Sequence, residues 1–270
     1  MSRSSGHAPL VWFTTLAIAG AGMIAAAAWH LPSALTSGAL GLTAGTLALA
    51  AGLLVSMLHL GRRSRALLAA RGTGRSHLSG EIVLAGATLA VGLGMLAMYS
   101  QAQREPLART AAGAIAVLFL LSIGRVYRLK GQRTWRGASI LLPLTTGLVC
   151  GEVFLWAVGD ATFSEASVAG WLIPFDVVLF ALRWRMLVRT VSAGVPRRVE
   201  AGGIHRLCAA RLLIFDLLPF MLLQMNEASV AFVAVAGGLV LDRWLFYALA
   251  SQHTTDAEIA SVEALIERES

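Results

Sequence analysis

Charged residues, aromatic residues and cysteines are all scarce in this sequence of 270 residues. Charged residues occupy 14% of the positions, against about 25% in an average soluble domain, and so few charges cannot cover the core of a soluble protein. The same composition excludes a disordered chain and a collagen-like repeat. The two cysteines, Cys150 and Cys208, are too few for a disulfide framework or a metal cluster.

Long apolar runs take the place of the missing charges. Hydrophobic residues make up 57% of the sequence, and its mean hydropathy is +0.71. A helix needs about 20 apolar residues to cross the hydrocarbon core of a membrane. We therefore predict an all-α polytopic membrane protein, a bundle of eight transmembrane helices. The predicted spans are 10–29, 34–60, 81–99, 110–127, 138–159, 168–187, 207–225 and 228–250.

The chain divides into a membrane domain and a short tail. Residues 1–250 form the predicted eight-helix transmembrane domain. In the tail, residues 251–270, positions 255–258 have the Thr-x-x-Glu form of a helix capping box, and apolar residues at helical spacing follow them. The tail is therefore predicted to form a short amphipathic helix in the cytoplasm.

Small residues recur in two of the predicted spans, and in the first of the two they repeat every four positions. They are Ser37, Gly41 and Gly45 in the second span and Gly86, Gly92 and Gly94 in the third. Faces of this kind let helix backbones approach each other closely in lipid. We expect packing within one bundle here, and the alternative is a face for dimerisation.

The basic residues are concentrated on one side of the predicted bundle. Of the 22 Lys and Arg residues, all but Arg104 and Arg109 lie near the chain termini or in the connections that follow the second, fourth and sixth spans. The positive-inside rule places that side in the cytoplasm, together with both termini. The net charge of +7 therefore reports membrane orientation rather than binding to nucleic acid.

Ionisable residues inside the apolar spans are costly, and each is a functional candidate. Glu152, Asp176 and Asp216 lie in the fifth, sixth and seventh predicted spans and could form a proton path. Structural alternatives remain open for each of the three. Glu152 could accept a hydrogen bond from Thr145 or Thr146. Asp176 follows Pro174, which loosens its helix, and Asp216 could cap a break ahead of Pro219.

Arginines and histidines have structural alternatives as well. Arg125, Arg183 and Arg185 lie near the ends of predicted helices, where long side chains extend to lipid phosphates. In the last span Asp242 and Arg243 are neighbours and could form a structural pair. No two histidines face each other across the bundle as a membrane haem requires, so we expect neither haem nor metal in this chain.

His59 and Glu81 are the strongest candidates for chemistry. They end and begin two consecutive predicted helices and flank one arginine-rich connection at the same membrane face. A neutral imidazole can accept a proton and a carboxylate can relay it. The pair therefore suits a redox carrier that loses two protons together with two electrons, although His59 could simply end a helix.

The residues around this pair resemble a known family. The runs 59–62 (His-Leu-Gly-Arg), 65–66 (Arg-Ala) and 78–82 (Leu-Ser-Gly-Glu-Ile) are similar to the hallmark of the membrane anchor subunit of dimethyl sulfoxide reductase. Residues 125–127 (Arg-Val-Tyr) resemble the end of the fourth span of that family, and residues 242–247, with Arg243 before Phe-Tyr, resemble its last span.

The resemblance implies a membrane anchor that oxidises quinol in anaerobic-type respiration, and menaquinol is the expected quinol. It also implies that the chain has no turnover on its own. Electrons would pass to an iron–sulfur partner subunit and then to a molybdopterin catalytic subunit, at the inner membrane of a prokaryote. By position, His59 and Glu81 would line the quinol site and take its protons, with Arg65 and Arg125 in supporting roles. The alternative function is a proton-coupled secondary transporter that uses the carboxylates within the spans.

Overall fold

The computed structural model describes residues 8–30, 35–59, 77–99, 105–126, 138–159, 168–192 and 201–250, and the regular elements in these ranges are all helical. The first six helices are α1 (Ala8–His30), α2 (Leu35–His59), α3 (His77–Ala97), α4 (Pro106–Val126), α5 (Ala138–Val158) and α6 (Val168–Ser192). Helix α7 covers 201–224 and contains a π-helical segment, Leu213–Leu217. Helix α8 is Ala228–Ala250.

The predicted all-α polytopic bundle is confirmed. Seven of these eight helices are long and apolar enough to cross a membrane. The exception is α6, whose 25 residues reach about 37 Å but include four charged side chains. Because Asp176 and Arg183 of α6 point into the protein, where they are buried, the helix can still present an apolar face to lipid.

Four helices begin earlier than predicted: α1 by two residues, α3 and α4 by four, and α7 by six. Helix α3 begins at His77, so Glu81 lies one turn inside the helix and does not open it. Helix α7 begins at Ala201, six residues before the predicted start, although Gly202 and Gly203 weaken the local helical signal. Tertiary packing stabilises the first turn of α7, because Ile204 is buried in a cluster with residues of α5 and α6.

Helix α1 lies at the centre of the bundle, where 72% of its most apolar stretch is buried. It packs against α2, α4, α5 and α8. Its contact with α5 is made by glycines: a Cβ atom added at Gly22 would overlap the carbonyl of Gly147, and one added at Gly151 would overlap that of Gly22. The backbones of the two helices therefore touch, which only glycine permits.

The predicted small-residue face of α2 is confirmed as a packing face within the bundle. A Cβ atom on Gly45 would come within 2.8 Å of the Gly20 carbonyl oxygen of α1. In α3 the prediction is partly wrong, because no described atom lies within 4 Å of a Cβ atom placed on Gly86 or Gly94. Gly92 does pack closely, against Thr46 of α2.

The connection between α7 and α8 is described in full and is very short. Asn226 adopts a positive φ of 60°, a conformation that asparagine tolerates better than most residues, and ends the helical path of α7. Helix α8 then starts two residues later, so the two helices form a tight antiparallel pair. The predicted tail, 251–270, lies outside the described residues.

Candidate functional site

Glu81 is buried on the inner face of α3. Its residue is 4% exposed, and Ala85 and Thr88, one and two turns further along the same face, are buried as well. The Oε1 atom of Glu81 has no hydrogen-bond partner among the described residues. A buried carboxylate oxygen without a protein partner is unusual and indicates a place where water or a ligand can donate a hydrogen bond.

The other residues predicted for the quinol site are only partly placed. His59 is the last residue of α2, which ends on the membrane face where α3 begins, but its side chain lies outside the described residues. Arg65 also lies outside them. Arg125 is exposed near the end of α4, on the same membrane face. The predicted contact between His59 and Glu81 therefore stays a prediction.

A buried ionic cluster occupies the interior between α6, α7 and α8. Its centre is Arg211 of α7, which donates from Nη2 to Oδ2 of Asp176 at 2.6 Å and from Nη1 to Asp216. The Nε atom of Arg211 lies 3.6 Å from Oδ1 of Asp242. Each of these four side chains has no exposed surface, so the ion pairs are shielded from solvent and lipid.

Two further arginines complete this cluster around Asp242. Arg183 donates from Nη1 to Oδ1 of Asp242 at 3.2 Å, and Arg243 donates to Oδ2 from Nε at 3.0 Å. The ionic cluster thus consists of Asp176, Asp216, Asp242, Arg183, Arg211 and Arg243. With three acidic and three basic members its formal charges cancel, which lowers the cost of burying them.

Aromatic rings and a hydroxyl group surround the arginines and aspartates. The guanidinium of Arg211 lies 4.2 Å from the ring centre of Phe180 and 4.4 Å from that of Phe215, within the range of cation–π attraction. Thr145 of α5 donates its hydroxyl to Oδ1 of Asp176. The cluster therefore links α5 to α6, α7 and α8 through polar contacts.

The π-helical segment places Asp216 beneath Arg211. In an α-helix, residues five apart point about 140° away from each other, so Arg211 and Asp216 would not meet. The wider π turn, with its hydrogen bonds between residues five apart, brings such residues towards the same face. Asp216 lies within this segment, and its position is therefore a consequence of the helical irregularity.

These contacts decide between several interpretations made from the sequence. Asp242 and Arg243 do form the pair that was offered as a structural alternative. The alternative for Arg183, extension to lipid phosphates, is wrong because the side chain is 2% exposed and pairs with Asp242. Arg211 was predicted to belong to the basic side of the membrane, and the structure places it inside the bundle instead.

A second polar pair, which the sequence did not predict, joins α1 to α5. Nε2 of His30 lies 3.0 Å from Oε1 of Glu152; the Glu152 side chain is 2% exposed and that of His30 is 37% exposed. The suggested partners Thr145 and Thr146 are wrong for Glu152, because Thr145 donates to Asp176 and Thr146 to a backbone carbonyl of its own helix. His30 and Glu152 both lie near the membrane face that is opposite the basic connections. This shared position is the sequence signal that could have suggested the contact.

The three carboxylates proposed for a proton path fall into two groups. Asp176 and Asp216 share Arg211, whereas Glu152 belongs to the pair with His30. Glu152 lies two helical turns from Thr145 on the same face of α5, a distance of about 10 Å along the axis. No group of three potential metal-binding side chains occurs within the described ranges.

Apolar helices on the outside and neutralised charges on the inside define the chain as a polytopic helical membrane protein. The model of the DMSO reductase anchor subunit (DmsC) family matches residues 7–183, more than half of the chain. The chain therefore belongs to the DMSO reductase anchor subunit family. Neither the curated proteins nor the solved structures include a match to it.

The matched region covers only part of the polar architecture. It includes Glu81, the pair of His30 and Glu152, and Asp176, and it ends at Arg183. The remaining members of the ionic cluster lie in α7 and α8, beyond the match. The family assignment therefore rests on the first six helices, and the cluster connects that region to the rest of the chain.

Proposed function

We propose that this chain is the quinol-oxidising membrane anchor of a molybdopterin and iron–sulfur oxidoreductase complex. Membership of the DMSO reductase anchor subunit family supports the role of anchor. The observation that carries the quinol chemistry is Glu81, a buried carboxylate near one membrane face whose Oε1 atom has no hydrogen-bond partner in the described part of the chain. Menaquinol is the expected substrate, since anaerobic-type respiration is the setting that the family resemblance implies.

Oxidation of a quinol releases two electrons and two protons, and the site must take both. In this proposal the Glu81 carboxylate accepts a proton from a quinol hydroxyl, and the His59 imidazole accepts the other. Arg65 and Arg125 support the binding of the quinol. Electrons leave to an iron–sulfur cluster of a partner subunit, and the molybdopterin subunit then reduces the terminal substrate.

The arginine-rich connections are proposed to lie in the cytoplasm on the side that binds the partners. The positive-inside rule supports this orientation, because most basic residues belong to that side even when the three arginines of the ionic cluster are left out. A basic protein face attracts acidic surfaces, so the same charges favour docking of an acidic iron–sulfur subunit there. The complex is then held at the inner membrane of a prokaryote.

The Glu81→Gln variant tests the proposed site. It removes the proton acceptor but keeps the size of the side chain, and we expect quinol-linked reduction of the iron–sulfur subunit to fall by roughly a hundredfold or more. Reduction is measured in membranes that contain the assembled complex, with partner content checked by gel analysis. The matched control is Glu105→Gln, an exposed carboxylate just before α4.

Quinol-linked reduction at the wild-type rate in Glu81→Gln would remove the site assignment. His59→Ala provides a second test with the same expectation, because both groups are proposed to take protons. The role of Glu152, Asp176 and Asp216 in a proton path remains a prediction. The transporter interpretation has less support, because each of these carboxylates already has a cationic or imidazole partner.

A further inference from the structure

An open groove of about 410 Å³ lies along α6 near the membrane face that carries the basic connections. Its lining includes Ala181, Trp184, Arg185 and Val188. These residues are three and four apart, so they form one stripe along the helix. From Ala181 to Val188 the stripe rises by about 10 Å towards the end of α6.

The groove lies on a flank of α6, between its buried face and its lipid-facing side. The buried face carries Asp176, Phe180, Arg183 and Leu187, and the outward face carries Trp171, Phe175, Val178 and Leu182, all exposed. At 100° per residue the groove stripe falls between these two faces. The groove is therefore open to the bilayer from the side, and a lipid molecule can enter it laterally.

The first turns of α7 contact the groove residue Trp184. Nε1 of Trp184 donates to Nδ1 of His205 at 3.2 Å, and the two rings are 5.7 Å apart. Arg206, the residue after His205, is exposed, and so is Arg185 in the lining of the groove. Among the described residues neither guanidinium has a carboxylate partner, in contrast to the paired arginines of the ionic cluster.

The chemistry of the groove changes with depth. Ala181 is the lining residue furthest from the end of α6, and therefore furthest into the membrane, and it is small and apolar. The cationic and aromatic side chains lie closer to the end of the helix. Tryptophan is enriched at the level of lipid headgroups, and basic pockets between membrane helices bind anionic headgroups. The groove thus matches an amphiphile with an anionic head and an apolar chain.

We propose that this groove is a binding site for an anionic phospholipid. The phosphate is held by Arg185 and Arg206, the Trp184–His205 pair lies beside the glycerol, and an acyl chain runs past Ala181. Helices α6 and α7 also carry most of the ionic cluster. The cluster therefore links these two helices in the interior, and the lipid links them at the surface. The site is independent of the proposed quinol chemistry.

Fluorescence quenching of Trp184 by brominated lipid tests this site. The full chain is reconstituted in phosphatidylcholine vesicles that contain a fixed fraction of either brominated phosphatidylglycerol or brominated phosphatidylcholine. The difference between the wild type and Trp184→Phe isolates the signal of this residue. We expect a clear preference for phosphatidylglycerol, and a roughly tenfold weaker preference in the double variant Arg185→Gln/Arg206→Gln.

The matched control is Arg125→Gln, which removes an exposed arginine on the same membrane face but outside the groove and should retain the preference. Equal quenching by the two lipids, or an unchanged preference in the double variant, would overturn the proposal. So would displacement of the brominated lipid by inorganic phosphate, which would indicate a site for the free anion. Loss of a protein partner from the double variant with unchanged lipid preference would identify an acidic protein surface as the occupant instead.

Discussion

Arg211 has three aspartates around its guanidinium and two aromatic rings close to it, and none of its surface is exposed. Burial of a charge costs several kcal/mol, and the cost is offset only where partners and geometry are good. Here the formal charges of the ionic cluster cancel. Removing one member therefore leaves its partners charged in an apolar interior.

Arg211→Met is expected to destabilise the folded chain by about 3–5 kcal/mol, because Asp176 and Asp216 lose their common partner. The measurement is the temperature at which the detergent-solubilised chain loses its monodisperse elution peak. Arg125→Met serves as the control, since Arg125 is exposed.

A second variant separates charge imbalance from lost packing. In Arg211→Met/Asp216→Asn the formal charges cancel again, and Asp176 keeps its hydrogen bond from Thr145. The temperature midpoint for loss of the monodisperse elution peak is expected to recover partly in this double variant. A midpoint equal to that of the single variant would show that packing, rather than the charge balance, stabilises this region.

The sequence identifies the acidic members of this cluster, but it does not identify their partners. Asp176, Asp216 and Asp242 stand out because charges are rare in apolar runs. Arg183 and Arg211 lie near arginine-rich connections, so hydropathy alone groups them with residues that contact lipid phosphates. Their true environment depends on helix rotation and on contacts between residues as far as 59 positions apart, which a single sequence does not display.

At the scale of whole helices, the contact of α1 with α5 determines how closely the bundle packs. Gly22 and Gly151 belong to facing backbones, with each glycine lying against a carbonyl of the other helix. Close approach of this kind maximises van der Waals contact in a solvent that offers no hydrophobic driving force between helices.

Gly22→Ala is expected to destabilise the bundle by about 1–3 kcal/mol, because the added methyl group overlaps the carbonyl of Gly147 and pushes α5 away. Gly86→Ala is the matched control, since the space around that position is open. Thermal midpoints in one detergent compare the two variants. Equal midpoints would contradict the close α1–α5 contact.

Helix positions are largely predictable from this sequence, and the irregularities are not. Apolar runs of about 20 residues locate all eight helices, because the bilayer sets a minimum length for a span. The early start of α7 escapes prediction, since tertiary burial of Ile204 compensates for Gly202 and Gly203. The π-helical segment escapes as well, because no residue type marks it.

On the scale of the whole molecule, polar side chains are distributed unevenly through the bundle. The unpartnered carboxylate of Glu81 lies near the basic face, the ionic cluster lies inside α6 to α8, and the pair of His30 and Glu152 lies towards the opposite face. Among these carboxylates and within the described part of the chain, only Glu81 combines a buried oxygen that has no hydrogen-bond partner with the absence of an ion pair. This difference is why Glu81 is assigned to the quinol and the others to structure or to proton movement.

The family assignment carries the largest claim about the whole molecule, namely that the chain works as part of a complex. In the proposed function the anchor has no turnover without an electron acceptor, so the proposal requires partner subunits. The most direct measurement is purification of the tagged chain in a mild detergent, followed by metal analysis and mass spectrometry of what comes with it. We expect iron and molybdenum together with two larger subunits; a chain that is purified alone and without metal, under conditions that preserve known complexes, would contradict the account.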